Sequence, residues 1–298
     1  MNKPPNTVLI TGASTGIGYG AARQFAQRGY RVFAGVRTVA DADRLRTELG
    51  PSVEPLLLDV TSEVSVQAAV QTLTSALAGS GLGYLINNAG VAIGGPLQHQ
   101  PLAVIEQHLA VNVLGVVRIT QAVLPLLGAG PSSPAAPDST RPGQVGPGLT
   151  RPGLTRLGRI LMISSVNGQV AIPFMGAYVA SKHALEGLSH SWRRELAPFG
   201  IRVIIVGPGA VKTPIWGKGT DISPYSHTPY YPAMQRFMTR VRAAEAGGLT
   251  ADAVGERLVQ IAEAPRPRIR YALLPQPVVG WLIPRLPNRL LDWVLARI

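Results

Sequence analysis

The 298-residue chain contains no cysteine. That absence removes disulfide scaffolds, thiolate nucleophiles and Cys-based metal sites together. It fits a reducing compartment, so a cytoplasmic location is expected. Charge is also sparse: Asp, Glu, Lys and Arg make up 15% of residues against 46% hydrophobic, which argues against a disordered chain and allows a sizeable core. The formal net charge of +12 would suit nucleic acid, yet the arginines are scattered, with no dense basic run and no interleaved aromatics. No nucleic-acid partner is expected. The apolar stretch at 7–10 is too short for a signal-peptide core or a membrane span. No H-E-x-x-H pair or carboxylate cluster accompanies the five histidines, His99, His108, His183, His190 and His227. They read as helical or loop-surface residues, and no metal is expected. No Gly-x-Ser-x-Gly elbow surrounds Ser165 or Ser181, which argues against acyl transfer.

What the chain does have is alternation. Apolar periodicity predicts strands at 7–10, 30–36, 53–58, 84–86, 159–164 and 201–206, with an edge strand near 269–273. Helices are predicted at 16–28, 41–49, 64–78, 102–127, 177–197 and 251–263. Strands and helices in turn, with short joints, predict a Rossmann-type doubly wound α/β fold: a mostly parallel sheet with helices on both faces. The whole chain, 1–298, reads as a single domain with a dinucleotide-binding core at 7–210. A Gly/Pro-rich stretch at 128–157 reads as a mobile surface insertion. Residues 211–249 carry prolines together with Trp216, Tyr225, Tyr230, Tyr231 and Phe237. They read as a substrate loop, because ligands bind beyond the carboxyl ends of parallel strands. In the tail, 278–298, Leu290, Leu291, Val294 and Leu295 can share a helical face, with Trp281 and Trp293 nearby. Pro284, Pro287 and the charges argue against a span. Docking on protein is the favoured reading of this amphipathic tail, and peripheral membrane contact is the alternative.

Two groups of residues carry chemistry. The first strand runs into Thr11-Gly12-Ala13-Ser14-Thr15-Gly16-Ile17-Gly18. Glycines there permit a tight turn and close approach to phosphate, and the next helix offers its amino end to a pyrophosphate. The second strand ends Val36-Arg37, where an acidic residue would meet a free ribose 2′-hydroxyl. An arginine can instead neutralise a 2′-phosphate, so NADP(H) is the expected cofactor. Asp59 and Val60 close the third strand and suit an adenine edge, while Asn88, Ala89 and Gly90 close the fourth and let a cofactor pass.

Tyr178 and Lys182 are four residues apart on one helix and share a face. A lysine ammonium should lower the tyrosine pKa and poise it for proton transfer to or from an alcohol oxygen. Ser165, at the end of the fifth strand, is placed to hold that oxygen. Asn112 is placed to bond a water that reaches Lys182.

Together these residues resemble the short-chain dehydrogenase/reductase family. The resemblance rests on TGASTGIG at 11–18, LDV at 58–60, NNAG at 87–90, VNVLG around Asn112, ISS at 163–165, YVASK at 178–182 and VGPGAVKTP at 206–214. It implies hydride transfer at nicotinamide C4, with Asn112, Ser165, Tyr178 and Lys182 in the catalytic roles above. It also implies that Lys182 bonds the nicotinamide ribose, that Tyr178 adjoins the cofactor, and that Pro208, Gly209, Val211 and Thr213 line the nicotinamide end. Arg37 looks like the family's NADP-selecting position. The texture looks nearest to the steroid and retinol dehydrogenase branch, which implies a small apolar alcohol or carbonyl substrate. Family members commonly pair through the two long helices, so a homodimer or homotetramer is expected. An epimerase or dehydratase reusing the cofactor fold, or a non-catalytic NADP(H)-sensing protein, remains open at this point.

Overall fold

The computed structural model describes residues 4–128, 158–215, 221–275 and 286–295. The sheet has seven strands in the order β3-β2-β1-β4-β5-β6-β9, all parallel. Its strands are β1 (Thr7–Ile10), β2 (Arg31–Val36), β3 (Val53–Leu57), β4 (Tyr84–Asn87), β5 (Arg159–Ile163), β6 (Arg202–Pro208) and β9 (Arg270–Leu273). Short β7 (Val211–Lys212) and β8 (Leu249–Thr250) pair apart from it.

Both faces of the sheet are covered because strand side chains alternate. Val8, Ile10, Val32, Ala34, Leu161 and Val206 face one way. They meet α1 (Gly16–Gln27), α2 (Val39–Leu49) and α8 (Ala251–Glu263). Leu9, Phe33, Ile160, Met162 and Val203 face the other way. They meet α3 (Glu63–Leu77), the 102–127 helix and α6 (Gly176–Glu195). The predicted doubly wound fold is therefore present. The strand order reverses between β1 and β4, and such a switch point opens a ligand crevice at the carboxyl edge.

Three features differ from expectation. The helix predicted at 102–127 is continuous but not regular. It runs α4 (Leu102–Leu109), a π-helical turn (Ala110–Leu114) and α5 (Gly115–Leu127), and Asn112 sits in the π turn. The region expected to be a loop at 211–249 contains α7 (Tyr231–Ala246). Pro232 lies in its first turn, where proline initiates a helix. Met234, Phe237 and Met238 form its buried face. Ser165 lies beyond β5, at the start of a 3₁₀ turn (Val166–Gly168).

The Gly/Pro-rich segment leaves after α5 and returns just before β5, where the Gly158 N–H reaches the Leu127 carbonyl at 3.4 Å. Both joints are on the amino side of β5, away from Ser165. The expectation for 129–157, and those for Trp216 and Trp281, fall outside the described residues. In the tail, α9 (Asn288–Leu295) is helical, with Leu290 and Trp293 exposed.

Candidate active site

The phosphate turn is built by exclusion. Gly16 adopts φ +59°, a left-handed conformation that glycine takes without penalty. A Cβ on Gly18 would lie 2.3 Å from the Gly12 carbonyl oxygen and 2.5 Å from Asn88 Nδ2. Helices α2, α3 and α8 are capped by Thr38, Ser62 and Thr250 side chains, each accepting from a first-turn N–H. At the start of α1, Thr15 makes no such bond, and the first turn carries no acidic residue. Its amide N–H groups can therefore serve an anion. Ser14 and Ile17 flank this turn, and Thr213 closes over it, since a Cβ on Gly16 would meet Thr213 at 3.1 Å. The cradle fits a dinucleotide pyrophosphate.

Thr11 organises this end, a role that sequence reasoning missed. Its hydroxyl accepts from the N–H groups of both Asn88 and Ala89 at 3.0 Å. The Asn88 amide in turn donates to the Thr11 and Gly12 carbonyls at 2.9 Å. Asn88 is thus a staple between the first and fourth strand ends, and its amide group is committed to protein. Arg37 follows β2 and is exposed. Burial opposes ionisation of Asp59, but hydrogen bonds from Thr61 and the charges of Arg37 and Arg118 hold its carboxyl below the usual range. Arg37 is therefore close enough to Asp59 for its charge to act on the carboxyl, and Val60, the next residue, is buried.

At the chemical end, α6 brings Tyr178 and Lys182 to the β5 edge. Both are buried. The Lys182 ammonium lies 5.8 Å from the Tyr178 ring centroid and donates to the Ile163 carbonyl at 2.9 Å. Its other two N–H donors meet no acceptor among the described residues. Burial pushes Lys182 down to about 8, opposed by the Glu186 carboxylate. Burial pushes the Tyr178 phenol up, and the hydrogen-bonded Ser165 hydroxyl draws it back down. This differs from the expected net lowering by Lys182: desolvation of the phenolate dominates, so the phenol is protonated at neutral pH. The Ser165 hydroxyl also accepts from the Asn167 N–H at 3.1 Å.

Asn112 has a structural part beyond the one expected. Its Oδ1 accepts from the Val91 N–H at 2.8 Å, and its Nδ2 donates to the Val91 carbonyl and to Ser181 Oγ at 3.0 and 2.9 Å. Both amide hydrogens are engaged in a clamp joining the β4 loop to α6, which leaves the second lone pair of Oδ1 for a water. Single-turn π segments recur at functional sites because they re-aim one side chain. His108 also departs from the surface reading. It is fully buried, accepts from the Ile93 N–H at 3.0 Å, and pairs with the Val104 carbonyl at 2.7 Å. The acceptor role fixes Nε2 as unprotonated, and burial pushes its pKa down.

Beyond Tyr178 lies an apolar wall of Met175, Val179, Phe237 and Met238, with Phe174 and Ile222 packed against it. Phe174 holds φ +63°, rare for a bulky residue. It is braced by its carbonyl accepting from the Gly95 N–H at 2.7 Å and by edge contacts to Tyr230 and Phe237. Pro208 ends β6, Gly209 follows it, and buried Val211 opens β7.

A phosphate cradle at the switch point, with a buried Tyr–Lys pair and a serine one strand further, defines a dinucleotide-dependent α/β protein. The chain belongs to the short-chain dehydrogenase family, whose pattern matches residues 6–133 and 153–221. It is 32% identical over 294 residues to the NADPH-dependent 3-dehydrocapnine reductase of Ornithobacterium rhinotracheale, covering 97% of this chain and 95% of that protein. It is 30% identical over 311 residues to the Bos taurus 17-beta-hydroxysteroid dehydrogenase type 6, covering 97% and 87%. That likeness agrees with the resemblance to the steroid branch. A short-chain dehydrogenase from Streptomyces avermitilis shares the fold at a TM-score of 0.75 and 24% identity, covering 100% of this chain and 96% of that one. Oxidoreductase chemistry with a nicotinamide cofactor follows from the family.

Proposed function

We propose that this single-domain enzyme uses NADP(H) to interconvert a secondary alcohol and a ketone on an apolar substrate. The observation that carries the reading is the convergence of Ser165, Tyr178 and Lys182 at the carboxyl edge, between a phosphate cradle and an apolar wall. When bound, the nicotinamide supplies or accepts hydride at C4. The protonated Tyr178 phenol donates to the substrate oxygen in the reducing direction and takes the proton back in the other. The Ser165 hydroxyl orients that oxygen. Lys182 holds the ribose and offsets the phenolate charge as it develops. Asn112 acts by clamping the β4 loop to α6. The main chain of Gly12, Ser14, Thr15, Gly16, Ile17 and Gly18 receives the pyrophosphate, and Arg37 receives the 2′-phosphate. Asp59, Val60, Ala89 and Gly90 flank the adenosine and ribose, and Pro208, Gly209, Val211 and Thr213 the nicotinamide. The apolar wall favours a lipid-, steroid- or retinoid-like carbonyl over a sugar. Pairing of two copies through the 102–127 helix and α6 agrees with the exposed Leu109 and Leu114.

The test follows absorbance at the reduced-nicotinamide band with apolar ketones, aldehydes and secondary alcohols offered in turn. Wild-type turnover should favour NADPH, and Tyr178→Phe should lose about 10²–10⁴-fold. Full activity in Tyr178→Phe removes the acid–base role. Turnover of polar sugars alone removes the substrate class.

A further inference from the structure

A largely buried ion pair sits behind the catalytic edge. Glu186, one turn beyond Lys182 on α6, is only 6% exposed. Arg270 opens β9, two strands from β5 in the sheet. Its Nε donates to both Glu186 oxygens at 3.1 Å, and its Nη2 donates to Glu186 Oε1 at 3.0 Å. The same Nη2 also reaches across β6 to the Ser165 carbonyl at 3.0 Å. The Ser164 hydroxyl donates to Glu186 Oε1 at 2.8 Å. Space for this network is kept by two glycines. A Cβ on Gly168 would lie 2.4 Å from Glu186 Oε1, and one on Gly207 would lie 2.5 Å from Arg270 Nη2.

Three consecutive residues at the end of β5 are therefore tethered separately. Ile163 is held through its carbonyl by Lys182, Ser164 through its hydroxyl by Glu186, and Ser165 through its carbonyl by Arg270. Strand pairing does not require this arrangement, because β9 pairs with β6 through its backbone. A buried ion pair is also weak as a source of stability, since desolvation offsets its attraction. Its geometry is directed at the segment that presents the Ser165 hydroxyl to Tyr178.

We propose that Glu186 and Arg270 are positioning residues that set the placement of the Ser165 hydroxyl. The inference rests on the catalytic reading of Ser165 given above. Removing Arg270 alone would strand a buried carboxylate and endanger folding. The informative variant is therefore Glu186→Gln/Arg270→Met, which removes both charges of the pair. Because it also takes the Glu186 carboxylate from Lys182, kcat is compared across pH, and a loss recovered at lower pH belongs to Lys182 and overturns the inference. NADPH affinity is read by fluorescence titration, and turnover is read with all-trans-retinal and a 17-ketosteroid as probes. The double variant should keep NADPH affinity, probe KM and Tm near wild type while kcat falls about 10- to 100-fold, the scale of losing orientation. Arg270→Lys, which retains the charge but not the fork, should fall between. A folded double variant with kcat within about twofold of wild type overturns the inference, on the same scale of orientation effects. If wild type turns over no carbonyl probe, the functional reading fails, and the inference is read by amide exchange instead. Exchange at 163–168 should then quicken in the double variant while β4 is unchanged. Unchanged exchange at 163–168 overturns it.

Discussion

Replacing Lys182 with methionine should make the protein more stable and far less active. Burial pushes this ammonium from 10.5 down to about 8, even with Glu186 pulling the other way. At about 1.4 kcal/mol for each tenfold change in acidity, carrying the charge at pH 7 costs the folded chain about 3 kcal/mol. Methionine fills similar space and removes that term. It also leaves the Ile163 carbonyl without its 2.9 Å donor, a loss of about 1 kcal/mol. The net gain is about 2 kcal/mol, or roughly 3 °C in Tm for a chain of this length. The pH dependence gives the sharper check. The folded pKa lies below the unfolded one, so between about 8 and 10.5 the unfolded chain binds more protons. Wild-type stability therefore rises with pH across that window. The advantage of Lys182→Met is complete below pH 8 and shrinks to nothing within the window. Above it the variant is about 1 kcal/mol less stable than wild type, because only the lost hydrogen bond remains. Thermal denaturation at pH 7 and pH 10 measures both ends. A variant that melts below wild type at pH 7, or keeps the same advantage at pH 10, refutes the reasoning. Turnover should fall by about 10²-fold or more, because the group that destabilises the fold is the one the chemistry uses.

Gly18→Ala places a methyl 2.3 Å from the Gly12 carbonyl. Overpacking against backbone costs about 1–3 kcal/mol, so Tm should drop, with NADPH affinity falling in a fluorescence titration. Thr11→Val strands the N–H groups of Asn88 and Ala89. The expected destabilisation is about 2 kcal/mol, seen as a lower midpoint in urea. Arg37→Asp removes a charge-assisted bond worth about 1.5–3 kcal/mol and adds repulsion beside Asp59. The ratio of kcat/KM for NADPH over NADH should fall at least roughly tenfold; an unchanged ratio removes Arg37 from that role.

Much of the fold was legible because its signals are local. Runs such as Val8–Ile10 and Val32–Val36 are apolar throughout, as strands buried on both faces must be. Their glycine turns and following amphipathic helices set the winding. Helix α7 was missed because prolines and aromatics in 211–249 suggest loop, whereas Pro232 stands where a helix tolerates it. The π turn at Ala110–Leu114 leaves no mark in periodicity. His108 read as a surface residue because its two partners, Val104 and Ile93, come from different segments.

Local sequence was enough to place Tyr178 above Lys182 on one helix turn and to gather the glycines at 12, 16 and 18 into one strand-to-helix turn. Those relations span only a few residues of chain, so backbone geometry alone sets them. Tertiary structure decided what each side chain meets across the sheet. It placed Asn112 on Val91 and Ser181, and Arg270 on Glu186 and Ser165, 84 and 105 residues away. It also decided how deeply Tyr178 and Lys182 are buried, and so the direction of both pKa shifts, because desolvation depends on the surrounding packed layers rather than on sequence neighbours.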